Sequence, residues 1–283
     1  MLIGIFYQGS GLGNQLHRYV ATRVKAADLG VDWAMIPIMD GSGKEKGFKG
    51  QSFMDIGQWD KGVRQGLPIE FDISQNPRNI AFKDVPGEPE NVTGYWQEKK
   101  VVDEFGNDIR SYDPEFNFIE DNTIIDGEFQ DERYWEHRER EVNEWLKVEP
   151  LKMPDNLCVI GFRGGEFSLF PDLFLTKDYW YEGIERMRKI NSKMRFEVHT
   201  DDKLLAMSYF NGDLKEDFKV IHDIGINWRS MRYAKYAIIA NSSFFILPRW
   251  LNKGMTIAPR YWARRNTKVW CLPQNYYSRF FYI

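Results

Sequence analysis

The sequence predicts an α/β protein built from two Rossmann-like halves. Three observations carry this. The chain opens with an apolar run that enters a glycine loop and then an amphipathic helical pattern. From residue 157 onward, short apolar runs alternate regularly with helical patterns. The residues with unusual chemistry fall directly after the apolar runs, where parallel sheets bind ligands.

The elements follow in order. Residues 2–7 form a buried strand ending in Gln8-Gly9-Ser10-Gly11-Leu12-Gly13. Over residues 14–29, Leu16, Val20, Val24 and Ala27 share one helical face, and Gly30 marks the stop. Residues 32–36 predict a second strand, so the opening β–loop–α–β is half of a nucleotide-type fold. Residues 37–114 carry glycine, proline and charge with little period and read as short elements and loops. Residues 123–125 predict a strand. Residues 131–146 predict a charged amphipathic helix with Tyr134, Trp135, Val142 and Trp145 as its apolar members. The segment 149–155, with Pro150 and Pro154, reads as a linker, dividing the chain into 1–150 and 151–283. Beyond it, strands at 157–162, 195–199, 219–222, 236–240, 255–258 and 268–272 alternate with helices at 177–190, 203–210, 228–235 and 244–251, the last kinked by Pro248. That alternation implies a parallel sheet covered on both faces.

Composition narrows the function. Apolar residues make up 43% of the 283, enough for a sizeable core, which excludes a mainly disordered chain. Aromatic residues reach 16%; most serve the core, and the rest suit sugar-binding clefts, where ring faces stack on sugar C–H groups. The net charge of −3 disfavours a nucleic-acid binder, the local basic cluster from Arg260 to Lys268 notwithstanding. The only two cysteines, Cys158 and Cys271, sit in apolar runs, which argues against a disulfide scaffold or a cysteine-rich zinc site and for a reducing compartment. No signal peptide is visible and no stretch approaches the ~18 apolar residues of a spanning helix, so a cytoplasmic location is expected. The aromatic tail from Tyr276 to Ile283 is expected to pack back across the first domain, with peripheral membrane contact as the alternative.

Four constellations carry chemistry. In Gly9-Ser10-Gly11-Leu12-Gly13-Asn14-Gln15 the glycines admit a ligand close to backbone and the following helix start attracts anions; a plain strand-to-helix turn is the competing reading. Leu16 stands where the NAD fingerprint needs glycine, which disfavours an oxidoreductase. In Gly161-Phe162-Arg163-Gly164-Gly165-Glu166-Phe167 an arginine after a buried strand calls for an anionic partner, and its fork suits phosphate oxygens; an Arg163–Glu166 ion pair shaping the loop is the alternative. In His199-Thr200-Asp201-Asp202 the acids suit a base, a ribose or a divalent metal, or else cap a helix. In Ala240-Asn241-Ser242-Ser243-Phe244 two hydroxyls at a helix start suit phosphate, compatibly with capping by Ser242.

Taken together these segments resemble the α-1,2-fucosyltransferase family of the GT-B fucosyltransferase superfamily. Gly11-Leu12-Gly13-Asn14-Gln15-Leu16 is similar to its opening motif. Gly127-Glu128-Phe129-Gln130 is similar to its Gly-Tyr-Phe-Gln, and Phe162-Arg163-Gly164-Gly165-Glu166 to its His-x-Arg-Arg-Gly-Asp. Thr200-Asp201-Asp202 is similar to its Ser-Asp-Asp, and Asn241-Ser242-Ser243-Phe244 to its Ser-Ser-Phe. The five occur in order over nearly the whole chain. Three positions depart: Gly161 stands for the histidine, Gly164 for the second arginine, and Glu166 for the aspartate.

The resemblance implies a GT-B-like fold, two Rossmann-like domains facing a central cleft, with 1–150 on the acceptor side and 151–283 binding the donor. It implies inverting, metal-independent transfer to a glycan acceptor, typically from GDP-fucose, with no cofactor beyond that donor. By position, Arg163 holds the β-phosphate. Gly11, Gly13 and Asn14 touch the sugar or diphosphate, and Asp201, with Asp202 beside it, reads base or ribose. Ser242, Ser243 and Phe244, with Gly164 and Glu166, complete the donor site.

As the nucleoside diphosphate leaves, Arg163 and helix N-terminal donors take up its charge in place of a metal. The base is open among Glu128, Glu166, Asp202 and His17; His17 and Arg18 read more readily as solvated helix positions. Three alternatives remain: a different nucleotide-sugar donor, a non-catalytic glycan- or nucleotide-binding protein of the same fold, and an NAD-type oxidoreductase. Trp59, Tyr95 and Trp96 are candidates to stack on an acceptor sugar.

Overall fold

The computed structural model describes residues 1–7, 10–38, 48–56, 78–79, 112, 114–171, 173–210, 219–259, 261–265, 269–273 and 277–283. Gly9, Trp59, Tyr95, Trp96, Tyr276 and the side chains from Arg260 to Lys268 lie outside the described residues. The described chain forms two compact units, Met1–Lys147 and Val148–Ile283.

The first unit is a parallel sheet with strand order β2-β1-β4-β3, where β1 is Leu2–Tyr7, β2 Trp33–Ile38, β3 Arg78–Asn79 and β4 Thr123–Asp126. Leu2, Ile3 and Ile5 are buried, as the apolar run predicts. Helix α1, Leu12–Leu29, connects β1 to β2 and ends as expected at Gly30, whose positive φ of 66° lets Val31 N–H reach back to Ala26 O at 3.0 Å. The predicted helix at 131–146 is broken. Two 3-10 turns, Glu132–Tyr134 and Glu136–Arg138, precede a short helix α2, Glu139–Trp145. The Asp131 carboxylate accepts from Arg133 N–H, and Trp135, buried at φ −142°, interrupts the helical path.

The second unit is a six-stranded sheet of order β12-β9-β8-β5-β6-β7, every described pairing parallel. Its strands are β5 Leu157–Phe162, β6 Arg195–Thr200, β7 Lys219–Ile221, β8 Tyr236–Ile239, β9 Met255–Ala258 and β12 Phe280–Tyr282. Counted from β5, this is the Rossmann order 3-2-1-4-5-6 read from the opposite edge. Helices α3 (Lys177–Ile190), α4 (Lys203–Phe210), α5 (Ile224–Tyr233) and α6 (Ser243–Leu251) make the connections. Strand β5 is buried along its whole length. Its last residue, Phe162, packs edge-on or tilted against Phe174, Trp180, Tyr209 and Phe210, giving the loop that follows a rigid base.

Two expectations fail here. The tail is a strand of the second unit: β12 pairs with β9, Phe280 opposite Thr256, and completes the second sheet. The strand predicted at 268–272 is β11, Val269–Pro273, paired antiparallel with β10, Tyr261–Arg265, in a separate ribbon. Among the described residues, no helix is long and apolar enough to cross a membrane.

The second unit is also tied by a buried guanidinium. Arg249 of α6 donates to Thr256 Oγ1 at 2.9 Å, Met231 O at 2.9 Å, Ala234 O at 2.7 Å and Met255 O at 3.0 Å. Met231 and Ala234 lie at the carboxyl end of α5, where a cation offsets the helix dipole. Burial pulls Arg249 down to about 9, which still leaves it charged at neutral pH.

Candidate functional site

Parallel sheets bind ligands outside the carboxyl ends of the strands that flank a point where the strand order reverses. In the second unit the reversal lies between β5 and β8. The loops that leave these strands start side by side, since Ala240 N–H donates to Gly161 O at 2.9 Å. One loop carries Arg163, Gly164 and Glu166; the other carries Ser242, Ser243 and Phe244. The β6 loop beside them brings Asp201 and Asp202.

Arg163 is held by two carboxylates. Nη1 donates to Asp201 Oδ2, and Nη2 to Glu166 Oε1 at 2.8 Å. Its guanidinium also lies over the Phe167 ring, 5.0 Å from the centroid. Burial pulls the Arg163 pKa down from its ordinary value, with the charge of Glu166 opposing. The side chain is 27% exposed, against 31% for Asp201 and 68% for Glu166. Asp201 therefore turns toward the arginine loop, where it also accepts from Gly164 N–H at 2.8 Å.

The glycines bear on two of the positions at which the chain departs from the pattern it resembles. A Cβ on Gly164 would lie 2.7 Å from Asp202 Cβ. Gly165 sits at φ +45°, and a Cβ there would meet Asp201 Oδ2 at 2.7 Å. Glycine at both positions lets the two aspartates close on the loop, so an arginine has no room at 164. A Cβ on Gly161 would lie 2.9 Å from Met231 Cε and from Phe245 Cδ1, so a histidine there would require the Phe245 ring to move. Gly161 is paired in register with His199, a fully buried histidine whose Nδ1 lies 2.9 Å from Asn227 Oδ1.

The other second-unit residues divide. The Asp202 carboxylate accepts from Leu205 N–H at 3.0 Å and so caps α4, the helix role the sequence leaves open for it. Ser242 is the N-cap residue of α6 with extended backbone, φ −138°, but its hydroxyl makes no cap hydrogen bond. Ser243 begins the helix, and Phe244 lies edge-on to Trp228 at 5.8 Å. Asn241 is buried and donates to Leu173 O at 3.0 Å.

In the first unit β1 lies between β2 and β4. Gly11 is the N-cap of α1, with no side-chain cap; a Cβ there would meet nothing within 4 Å. Gly13 is buried, and its carbonyl accepts from His17 Nδ1 at 2.8 Å. Asn14 Oδ1 accepts from Gln130 Nε2 at 3.1 Å. One turn further on, Arg18 crosses to the end of β4. Nη1 donates to Asp126 Oδ1, and Nη2 to Glu128 Oε1 at 2.9 Å. Gln130 Nε2 approaches Glu128 Oε2 at 3.3 Å. The loop that presents Glu128 and Gln130 is anchored by Phe129. This residue is buried against Phe116 and Tyr134 at φ 51°, an uncommon conformation for a bulky side chain.

His17 and Arg18 are not solvated helix positions: they are 0% and 2% exposed. Burial lowers His17 from 6.5 to about 4, against the opposing bond to Gly13. Asn14, Glu128 and Gln130 were singled out in the sequence; the buried Arg18–Asp126 pair that ties them together is the part that sequence reasoning missed. Its signal was the i, i+4 spacing of Asn14 and Arg18, which puts both on one helical face. Among the described residues no group of three His, Cys, Asp or Glu is arranged to hold a metal ion. Cys158 is buried, and burial pushes its thiol up.

No protein-family model matches the chain, and no curated protein matches it. Solved structures do. NodZ α-1,6-fucosyltransferase soaked with GDP-fucose aligns at TM-score 0.51 and 14% identity, over 89% of this chain and 92% of that one. Fucosyltransferase NodZ from Bradyrhizobium aligns at TM-score 0.48 and 13% identity, over 89% and 93%. E. coli heptosyltransferase WaaC with ADP aligns at TM-score 0.45 and 13% identity, over 100% and 92%. With the parallel sheets above, the first of these identifies the fold as GT-B-like: α/β, with a parallel sheet in each unit, the second in Rossmann order.

Proposed function

We propose that the protein is an inverting, metal-independent glycosyltransferase that uses a nucleotide-sugar donor, GDP-fucose foremost, and a glycan hydroxyl as acceptor. One observation carries this reading. The reversal point of a sheet in Rossmann order is flanked by an arginine loop and by a helix start whose N-cap hydroxyl makes no cap bond. The GT-B-like neighbour soaked with GDP-fucose and the ordered motifs support the donor class.

In this reading residues 151–283 hold the donor and residues 1–150 the acceptor. The diphosphate takes up Arg163, and the first-turn N–H groups of α6 with Ser242 and Ser243 complete its cradle. The Arg163–Glu166 pair opposes phosphate binding only weakly, because Glu166 is mostly exposed and such pairs contribute about 0–1 kcal/mol. Asp201, fixed also by Gly164 N–H, orients the guanidinium while phosphate replaces Glu166. As the bond from the anomeric carbon to the diphosphate oxygen breaks, Arg163 stabilises the charge on the leaving group. A contact of this kind contributes ~3 kcal/mol, roughly 10²-fold in rate.

The test is turnover in EDTA across GDP-, UDP- and dTDP-sugars. One donor is expected to release its nucleotide, and Arg163→Ala is expected to lower that release about 10²-fold with folding intact. Turnover that stops on chelation and returns with manganese contradicts the reading.

The ion pairs at Arg163 favour a second reading, a non-catalytic glycan- or nucleotide-binding protein in which those pairs close the loop. Binding of a donor without any release of nucleotide from it would select that one.

A further inference from the structure

We infer that Glu166 is a built-in competitor of the donor's phosphate: its carboxylate and the diphosphate contend for the same nitrogen of Arg163, so donor and product are both held less tightly than the guanidinium alone would hold them. This deepens the transferase reading above and rests on it. Every group concerned belongs to the second unit.

A guanidinium offers a phosphate two paired faces, one formed by Nη1 and Nη2 and the other by Nε and Nη2. Nη2 belongs to both faces, and Glu166 Oε1 holds it at 2.8 Å. Nη1 belongs to the first, and Asp201 Oδ2 holds it. A phosphate arriving bidentately on either face therefore meets a carboxylate already bonded to one of the two nitrogens.

The surroundings decide which carboxylate yields. Asp201 is fixed twice, because its other oxygen accepts from Gly164 N–H at 2.8 Å. Glu166 is bonded only to Arg163 among the described residues, and its side chain is 68% exposed. An ion pair this exposed is worth up to roughly fivefold in an equilibrium constant, so a diphosphate that also reaches the first turn of α6 displaces it. The backbone beneath is braced. Phe167 N–H donates to Gly164 O at 2.9 Å, and Ser168 Oγ to Gly165 O at 2.7 Å. The exchange thus needs only the Glu166 side chain to rotate toward water, while the guanidinium stays over the Phe167 ring and on Asp201.

The competitor has two uses. Burial pulls the Arg163 pKa down, and the charge of Glu166 opposes that shift, so the pair offsets the cost of a partly desolvated guanidinium between turnovers. After transfer the returning carboxylate contends with the nucleoside diphosphate, which favours product release, a step that limits many transferring enzymes.

The experiment is calorimetric titration of GDP, to millimolar concentration, and of guanosine into the full chain. Wild type, Glu166→Gln, Arg163→Ala and the double variant are compared. Glu166→Gln keeps the size of the side chain and removes its charge. It is expected to tighten GDP about fivefold and to leave guanosine unchanged. In the Arg163→Ala background the same change is expected to do nothing, because the contested nitrogen is gone. GDP binding that Glu166→Gln leaves unchanged or weakens overturns the inference. So does a gain that guanosine shares, or one that persists in the Arg163→Ala background, since it would then come from general repulsion. In each of those cases GDP still binds and the donor reading stands. Failure of both wild type and Glu166→Gln to bind GDP overturns the donor reading instead, and this inference with it.

Discussion

Each unit carries an arginine bonded to two carboxylates. In the first unit Arg18 is 2% exposed and its partner Asp126 is 6% exposed; in the second, Arg163 is 27% exposed and Glu166 68%. The chemistry is the same and the burial differs, so the consequences differ. A buried pair is fixed because either charge alone would be costly there. A half-exposed pair can exchange one partner for another anion at little cost. The first arginine therefore serves as scaffold, while the second is available to a ligand.

The sharpest way to break this comparison is to remove each arginine. Arg18→Ala breaks the buried ion pair with Asp126 and is expected to cost about 3–5 kcal/mol in urea unfolding. Arg163→Ala should change stability by less than ~1 kcal/mol. Equal losses would show that exposure does not separate the two. Replacing both Arg18 and Asp126 with apolar residues of similar volume should recover most of the loss.

Acidification sharpens the same contrast. His17 is charged more easily in the unfolded chain, near 6.5, than in the folded one, at about 4. The unfolded state then binds more protons, so stability falls as the pH drops from about 6.5 to about 4 and levels off below. The loss from this group is on the order of 3 kcal/mol. Unfolding measured at pH 7 and pH 4.5 should show a smaller drop for His17→Phe than for wild type. An unchanged drop would mean that His17 does not titrate in its buried state.

The smallest effects concern the two glycine loops. Gly164→Ala forces Asp202 off its cap and is expected to cost about 1–2 kcal/mol. Gly11→Ala meets no atom within 4 Å at φ −60° and should stay under about 1 kcal/mol by thermal unfolding. A larger effect at Gly11 would mean that the first loop is as tightly packed as the second.

The regular parts of the second unit were legible because local pattern and tertiary role agree. The run 157–162 is a strand buried along its length, and 177–190 a helix with Trp180, Ile184 and Met187 on its buried side. The helix expected at 131–146 failed because two local events, the Asp131 side-chain bond and the bent backbone at Trp135, overrode an amphipathic pattern. The tail failed because its partner β9 is set by tertiary pairing that no local pattern encodes. At the site, Arg163 and Asp201 were singled out by their position after strands, but their contact depends on β5 and β6 being neighbours. The burial of Arg18 was hidden because its acid partners lie 108 and 110 residues away.

The central claim is that Arg163 holds the diphosphate of the donor. The most direct measurement is calorimetric titration of GDP and of guanosine in EDTA, into wild type and Arg163→Ala. The account predicts that wild type prefers GDP by about 10²-fold and that Arg163→Ala loses most of that preference while guanosine binds both alike. A preference for GDP that survives Arg163→Ala, or none in wild type, would contradict it.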